Sequence, residues 1–222
     1  MDVLSLVLLV AAQSVAPSIT ARFIGNAAFE LSDGSTTILI DFPYGSGAFG
    51  YMQFPASELH RRSNALCLFT HGHADHFDGT AITSVGCQVA GPGEVQQAVP
   101  AEFRYGPGPR WEFRGVRIEC IPTPHADVEH CSYVIEWLGN EIYVSGDIED
   151  LDALDDPRLN ARSLFLPAWL VSAVATRSLP ADTRVVVHHH TATEEIPPCN
   201  SCFVPRQGAT FPIGGCRSSA GG

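Results

Sequence analysis

Apolar residues along the chain fall into short runs separated by glycine, proline and polar turns. Residues 19–31 and 36–40 flank the turn sequence Ser-Asp-Gly-Ser of residues 32–35, which predicts a hairpin. Further strands are predicted at residues 65–69, 87–90, 111–113, 117–121, 132–137, 141–144, 163–166 and 184–187. Short helices are predicted at residues 55–62, from Thr80 onwards and at residues 94–98, and loops at residues 42–54 and 171–176. This mixture of alternating and continuous apolar runs predicts a sheet-rich domain of mixed α and β structure.

A cluster of polar residues follows directly after the predicted strand at residues 65–69. It reads Thr-His-Gly-His-Ala-Asp-His-Phe-Asp-Gly and contains His71, His73, Asp75 and His76. Neutral imidazole and carboxylate suit a divalent first-row metal, zinc above all. Without a cation, such a cluster would be costly to bury and mutually repulsive when charged. The cluster therefore predicts a metal site on the loop after this strand.

Three later segments also place polar side chains after predicted strands. His125 follows the strand at residues 117–121, and Asp147 follows the strand at residues 141–144. The triplet His188, His189 and His190 follows the strand at residues 184–187. Strand ends that meet at one edge of a sheet core can bring such side chains together. We therefore expect the metal ligands to gather at one edge of the sheets.

The order of these motifs resembles that of the metallo-β-lactamase superfamily: His-x-His-x-Asp-His, a later His, Gly-Asp and a final His, over residues 19–190. The opening residues 23–31 and 38–41 resemble the branch that contains ascorbate-phosphate lactonase-like and related uncharacterised metal-dependent hydrolases. The resemblance implies an α+β fold, a four-layer αββα sandwich. A histidine often follows the glycine of the opening motif in that branch, whereas this chain has Asn26.

The resemblance also implies a binuclear zinc site with ligands assigned motif by motif. The first metal would be bound by His71, His73 and His125, the second by Asp75, His76 and His190, and both by the bridging Asp147. Asp41 and Asp78 are expected either to hydrogen-bond groups of the site or to form turns.

Two of the implied ligands are choices between neighbouring histidines. His125 is preferred to His130 because it follows a Thr-Pro pair, as the superfamily ligand does, and His130 would then lie on the surface or beside a ligand. Strand alternation prevents His188, His189 and His190 from all reaching one metal. Matching the preceding strand to the last strand of the superfamily favours His190.

These ligands predict a zinc-dependent hydrolase of small molecules, which would use a metal-bound hydroxide on an ester, lactone, amide or phosphodiester. Asp75 or Asp147 would accept a proton during turnover. The alternatives are an iron-dependent oxidoreductase similar to sulfur dioxygenases and a non-catalytic metal-binding module. The di-iron branch of the fold usually has glutamate where this chain has His73, which favours zinc. Tyr44, Tyr51 and Trp169 are either walls of the substrate pocket or core packing.

Charge excludes other classes of function. The 13 basic residues are all arginine, so lysine chemistry is excluded, and the net charge is −11. A chain this acidic is not expected to bind nucleic acid independently of sequence, since that requires a basic surface.

The seven cysteines fall into two kinds of sequence context. Cys67, Cys87, Cys120 and Cys131 lie in or beside apolar runs and are expected to be small buried hydrophobes. Cys199 and Cys202 lie in a proline-rich stretch. They form a disulfide or paired-thiol clip, are plain structural thiols, or serve a redox or metal-binding role.

The ends of the chain differ in composition from its centre. Residues 1–16 hold an apolar run and a small-residue exit, which predict a signal peptide and an exported, periplasmic or secreted, protein. An acidic Asp2 and the absence of a basic residue there favour the alternative, a buried or uncleaved extension of a cytoplasmic protein. The run is too short for a membrane span, which needs about 20 residues. Residues 17–213 are expected to form the hydrolase domain and residues 214–222 a flexible tail.

Overall fold

The computed structural model describes residues 18–106, 108–155 and 161–214. Most of its regular structure consists of short strands. The strands are β1 (Thr20–Gly25), β2 (Ala28–Ser32), β3 (Thr37–Ile40), β4 (Ala65–Leu68), β5 (Gln88–Ala90), β6 (Arg110–Phe113), β7 (Val116–Pro122), β8 (Cys131–Trp137), β9 (Asn140–Val144), β10 (Ser163–Pro167), β11 (Arg184–His188), β12 (Cys202–Phe203) and β13 (Thr210–Pro212). The α-helices are α1 (Ile82–Val85), α2 (Gly93–Gln97) and α3 (Val171–Thr176).

The strands form two mixed sheets that pack face to face. The first has the order β13-β1-β2-β3-β4-β5 and the second the order β12-β11-β10-β9-β8-β7-β6. Phe23 and Phe29 of the first sheet share one buried cluster with Tyr133 and Phe165 of the second. Burying each such side chain contributes about 1.5–3 kcal/mol, so this central layer supplies most of the cohesion between the sheets.

The helices cover the outer faces of the two sheets. Ile82 and Val85 of α1 and Val95 of α2 pack in a cluster outside the first sheet. Val171 and Val174 of α3 pack in another cluster outside the second sheet. The predicted αββα sandwich is therefore confirmed, with helices of only four to six residues.

Neighbouring parallel strands in each sheet bring loops to one edge. β3, β4 and β5 are parallel in the first sheet, and β9, β10 and β11 are parallel in the second. The carboxyl ends of neighbouring parallel strands lie at the same edge of a sheet. The polar motifs after β3, β4, β9 and β11 therefore come together there.

The predicted elements differ from the structure in four places. Residues 19–31 form two strands, because Asn26 adopts a positive φ of 52° and turns the chain. The helix expected at residues 55–62 is a single 3₁₀ turn at Ala56–Glu58. Glu58 in this turn forms ion pairs with Arg22 and Arg62. Residues 171–176, expected to be a loop, form α3. Strands β12 and β13 have two and three residues, too few to show alternation in the sequence.

The structure also corrects the expectation that four of the cysteines are small buried hydrophobes. Cys67 is bonded to Cys87 and Cys120 to Cys131, so these four are cystines and not free buried thiols. Each bond joins neighbouring strand regions, which an apolar sequence context does not distinguish from ordinary burial. Cys199 and Cys202 form a disulfide, the first of the three alternatives that the sequence leaves open.

The predicted signal peptide, residues 1–16, and residues 215–222 of the predicted tail lie outside the described residues. No helix in the described part of the chain combines the length and the apolar character that crossing a membrane requires.

Candidate metal centre

The ends of strands from both sheets surround the candidate metal centre. Asp41 follows β3, the loop that begins with Thr70 and His71 follows β4, and Asp147 follows β9. The loop between β7 and β8 supplies His125. Each of these side chains is thus attached to a strand end that the sandwich core holds in place.

The first group of donor atoms consists of His71, His73 and His125, one nitrogen from each, all within 4.8 Å of one another. His73 Nδ1 lies 3.4 Å from His125 Nε2. His71 is fully buried, its Nδ1 contacts Thr70 Oγ1 at 3.0 Å, and its Nε2 has no hydrogen-bond partner among the described residues. Burial lowers the pKa of His71 and of His125, which keeps both rings neutral as metal ligation requires.

The second group consists of Asp75, His76, Asp147 and His189, all buried and again with donor atoms within 4.8 Å of one another. Asp147 Oδ2 lies 3.2 Å from His76 Nε2 and 3.1 Å from His189 Nε2. It also lies 4.0 Å from His125 Nε2 of the first group. Asp147 therefore lies between the two groups.

In the second group, the charges of neighbouring side chains outweigh burial in setting the direction of the pKa shifts of Asp147 and His76. Burial would raise the pKa of Asp147, but His76 and His189 outweigh it and hold that pKa well below its ordinary value. Burial would lower the pKa of His76, yet Asp147 and Asp41 raise it well above its ordinary value. The carboxylates are therefore charged, and they attract a cation or a proton to this group.

Asp41 and Asp78, which the sequence treats alike, have different roles. Asp41 accepts hydrogen bonds from Thr70 N at 2.7 Å and Thr70 Oγ1 at 2.9 Å, and lies 2.8 Å from His76 Nδ1. It therefore fixes the His76 ring with Nε2 towards the group. Asp78 instead accepts from the backbone N–H of Thr80 at 2.9 Å and forms a turn.

The structure brings His189, and not the expected His190, to the second group. Strand β11 ends at His188, and His189 has a positive φ of 58°, so strand alternation does not extend to these residues. The His190 ring stacks on Phe23 with centroids 5.6 Å apart, and its Nδ1 donates to Thr191 O at 3.0 Å. His189, and not His190, therefore lies in the second donor group.

Asn26 joins two of the loops that carry donor atoms. Its Nδ2 donates to Asp75 O at 2.8 Å, and its own carbonyl accepts the N–H of His189 at 2.9 Å. In the sequence, Asn26 is distinguished only by its departure from the branch pattern. The pair Gly25-Asn26 between two apolar runs is a turn signal that could have identified it.

His130 belongs to neither group, and it is buried, not at the surface. Its Nε2 accepts the backbone N–H of Asp147 at 3.0 Å, and its Nδ1 donates to Thr123 Oγ1 at 2.8 Å. Gly146 packs against the ring so closely that a Cβ there would lie 2.5 Å from His130 Nε2. Burial lowers the pKa of His130 to about 3, so the neutral ring holds the loop of Asp147 in place.

The three aromatic residues considered as walls of a substrate pocket occupy different positions. Tyr44 is buried, and its hydroxyl donates to Met52 O. The ring of Tyr51 lies 4.2 Å from that of His189, and the ring of Trp169 lies 4.9 Å from it. Tyr51 and Trp169 thus lie beside the second group, whereas Tyr44 is packing.

Known proteins resemble the chain both in sequence and in fold, although no family model matches it. A UPF0173 metal-dependent hydrolase of Thermococcus onnurineus is 30% identical over 159 residues, 62% of this chain and 66% of that protein. A UPF0173 metal-dependent hydrolase of Symbiobacterium thermophilum is 33% identical over 141 residues, 57% of this chain and 58% of that protein. The chain therefore matches less than two thirds of the length of these relatives.

A solved metallo-β-lactamase fold protein from Bacillus subtilis superposes with a TM-score of 0.63 and 13% identity, covering 88% of this chain and 99% of that chain. That likeness establishes the fold. The resemblance that the motifs predict is therefore confirmed: the chain has the metallo-β-lactamase fold and is similar in sequence to UPF0173 metal-dependent hydrolases.

Proposed function

We propose that the protein is a hydrolase that binds two zinc ions and cleaves an ester, lactone, amide or phosphodiester bond of a small molecule. The observation that carries the proposal is the pair of adjacent donor groups, which share Asp147 as their near neighbour. The ligands would be His71, His73 and His125 at one zinc, and Asp75, His76 and His189 at the other, with Asp147 between them.

The donor atoms suit zinc. Imidazole nitrogen and carboxylate oxygen are its usual ligands in hydrolytic sites. His71 Nε2 and Asp147 Oδ1 are buried and have no hydrogen-bond partner among the described residues. An unsatisfied buried polar group costs about 1–3 kcal/mol, and a bound cation would remove that cost.

Zinc supplies a lowered pKa of bound water, about 7, and polarisation of the bond to be cleaved. The chain supplies the rest. Asp41 orients His76, and His130 holds the backbone of Asp147. Asp75 contacts His189 at 3.1 Å, is buried and is charged, so it is the group that we propose to accept a proton during hydrolysis.

Metal analysis tests the first half of the proposal. The purified protein is expected to hold two zinc ions per chain, and to lose both zinc and hydrolytic activity on dialysis against a chelator. Iron in place of zinc, or no transition metal, would contradict it.

A matched pair of substitutions tests the second half on a panel of chromogenic esters, lactones, β-lactams and phosphodiesters. Asp75→Ala is expected to lower kcat/KM roughly 10²–10⁴-fold for the substrate that is hydrolysed. Asp78→Ala makes the same chemical change in a turn outside both donor groups and is expected to retain activity. Equal losses in the two variants would rule out the proposed role of Asp75.

We also propose that the protein works in an oxidising compartment. The three disulfides among the described residues support this, because such bonds persist in secreted and periplasmic proteins and are rare in the cytosol. Alkylation of the protein taken from its native host is expected to leave these six cysteines unmodified. Free, alkylated thiols at these positions would contradict the proposal.

A further inference from the structure

Two aromatic side chains from different parts of the chain flank His189. Tyr51 comes from the loop after β3, and Trp169 from the turn between β10 and α3. Their rings meet the imidazole nearly at right angles, at 78° and 72°, with centroids 4.2 and 4.9 Å away. The two rings therefore lie beside the second donor group.

The exposed part of Trp169 is apolar. Its Nε1 donates to Ile148 O at 3.0 Å, which fixes the indole and occupies the only polar atom of the side chain. The residue nevertheless remains 45% exposed, so what faces solvent is ring surface. Tyr51 is half-buried beside the same imidazole.

The loop that carries Tyr51 is attached to the metal motif. Gly45 donates its N–H to Ala74 O at 2.5 Å, and a Cβ at Gly45 would lie 2.7 Å from the same oxygen. Only glycine permits this approach. From there the chain runs to Phe49, which is 75% exposed, and then to Tyr51. The loop thus extends from one donor group's motif to the ring of His189.

Charge around the donor groups comes from histidine and carboxylate. Within the described ranges, the ion pairs of Asp41, Asp75 and Asp147 are all with histidines. Arg22, Arg62 and Arg177, by contrast, are paired with Glu58 and Asp155, which belong to neither donor group. Ring surface of Tyr51 and Trp169 therefore lies next to the histidines and carboxylates of the second donor group.

We propose that Tyr51 and Trp169 bind a flat, aromatic or conjugated group of the substrate next to the bond that is cleaved. This rests on the proposed hydrolase function and narrows its substrate class. Ring stacking adds to the gain from burial of the same area, so flat groups are preferred to bulky aliphatic groups of similar size.

Calorimetric titration of the zinc-loaded full chain with alcohols, which contain none of the bonds proposed to be cleaved, tests the proposal without relying on turnover. 2-Naphthylmethanol is expected to bind more tightly than cyclohexylmethanol. Trp169→Ala and Tyr51→Ala are each expected to weaken naphthyl binding about 3- to 10-fold, whereas Trp169→Phe keeps most of the affinity. Leu138→Ala removes another side chain that is 45% exposed, on the β8–β9 turn, and is expected to change nothing.

Equal binding of the two alcohols, or unchanged naphthyl binding in Trp169→Ala, would overturn the proposal. Melting curves of each variant exclude unfolding as the cause of a loss. The experiment distinguishes failure of one proposal from failure of the other. If no substrate is hydrolysed but the naphthyl probe is still preferred, only the hydrolase function is contradicted. Hydrolysis that persists without aromatic selectivity would contradict only the role of Tyr51 and Trp169.

Discussion

At the scale of single residues, the second donor group depends on a change of backbone direction at His189. The residue adopts a left-handed conformation, which is uncommon for side chains other than glycine and asparagine. Its N–H donates to Asn26 O, and its ring is enclosed by Tyr51 and Trp169. These contacts hold Nε2 against Asp75 and Asp147, where a metal would be bound.

The choice between His189 and His190 can be tested directly. His189→Ala removes a proposed ligand of the second zinc. The total zinc content of this variant is therefore expected to fall to about half that of the parent, or less. His190→Ala removes a ring that packs on Phe23 and is expected to retain the zinc at some cost in stability, about 1–3 kcal/mol. Zinc content and melting temperature of both variants decide the matter; loss of zinc only in His190→Ala would reverse the assignment.

His130 acts on the centre through the backbone. Substitution by alanine leaves the buried N–H of Asp147 without its acceptor, which costs about 1–3 kcal/mol. We therefore expect His130→Ala to lower the free energy of unfolding and to weaken zinc binding. Both effects are expected to be larger than those of an alanine substitution at a surface residue. Thr123→Val removes the partner of Nδ1 and of Ser132 Oγ but keeps the bond from Asp147 N to the ring, and is expected to be milder. Denaturant titration that leaves His130→Ala as stable as the parent would refute this role.

At the scale of elements, a disulfide closes the loop that carries His125. Cys120 in β7 is bonded to Cys131 at the start of β8, and both His125 and His130 lie between them. The bond limits how far this loop can open in the folded chain. It also reduces the conformational entropy of the unfolded chain.

Removal of this disulfide is therefore expected to affect both stability and metal binding. The double substitution of Cys120 and Cys131 by serine should cost roughly 2–4 kcal/mol and weaken zinc binding at the first group. The same double substitution at Cys199 and Cys202, which closes only a short segment outside both groups, is expected to leave zinc binding unchanged. Equal zinc affinity in the two double variants would show that the bond does not position His125.

At the scale of the whole molecule, stability should depend on pH through an ion-pair network away from the metal centre. Glu58 bonds to Arg22 at 2.8 Å and to Arg62 at 2.8 Å, which connects β1 to the loop before β4. Hydrogen bonds from Arg22 and Arg62 outweigh burial and lower the pKa of Glu58 from 4.5 to about 2. A carboxylate with a lowered folded-state pKa stabilises the fold above its unfolded pKa.

The contribution of Glu58 is therefore expected at neutral pH and to disappear as pH falls from 4.5 towards 2. Glu58→Gln should reduce the free energy of unfolding at pH 7 by on the order of 1 kcal/mol, and the difference from the parent should vanish at low pH. Glu136→Gln breaks an exposed pair with Arg117 and serves as the control with little effect. A Glu58→Gln deficit that is constant with pH would point to packing and not to charge.

The sequence by itself predicted a candidate metal centre and determined the layered architecture. His71, His73, Asp75 and His76 are close along the chain, so their type and spacing alone predict a divalent metal site. The strands and the sandwich follow from alternation and apolar runs, which are also local properties.

Only the tertiary structure decided how distant segments meet. His189 replaces His190 because the backbone leaves the strand conformation after His188, and the contact that supports this comes from Asn26, far away in the chain. The disulfides of β4 and β7 depend on which strands are neighbours, and a buried thiol has the same sequence context as a buried cystine. Tyr51 and Tyr44 are both aromatic residues of one loop, yet the fold places one beside the centre and one in the core. Such outcomes are set by packing across the two sheets, which local residue patterns do not encode.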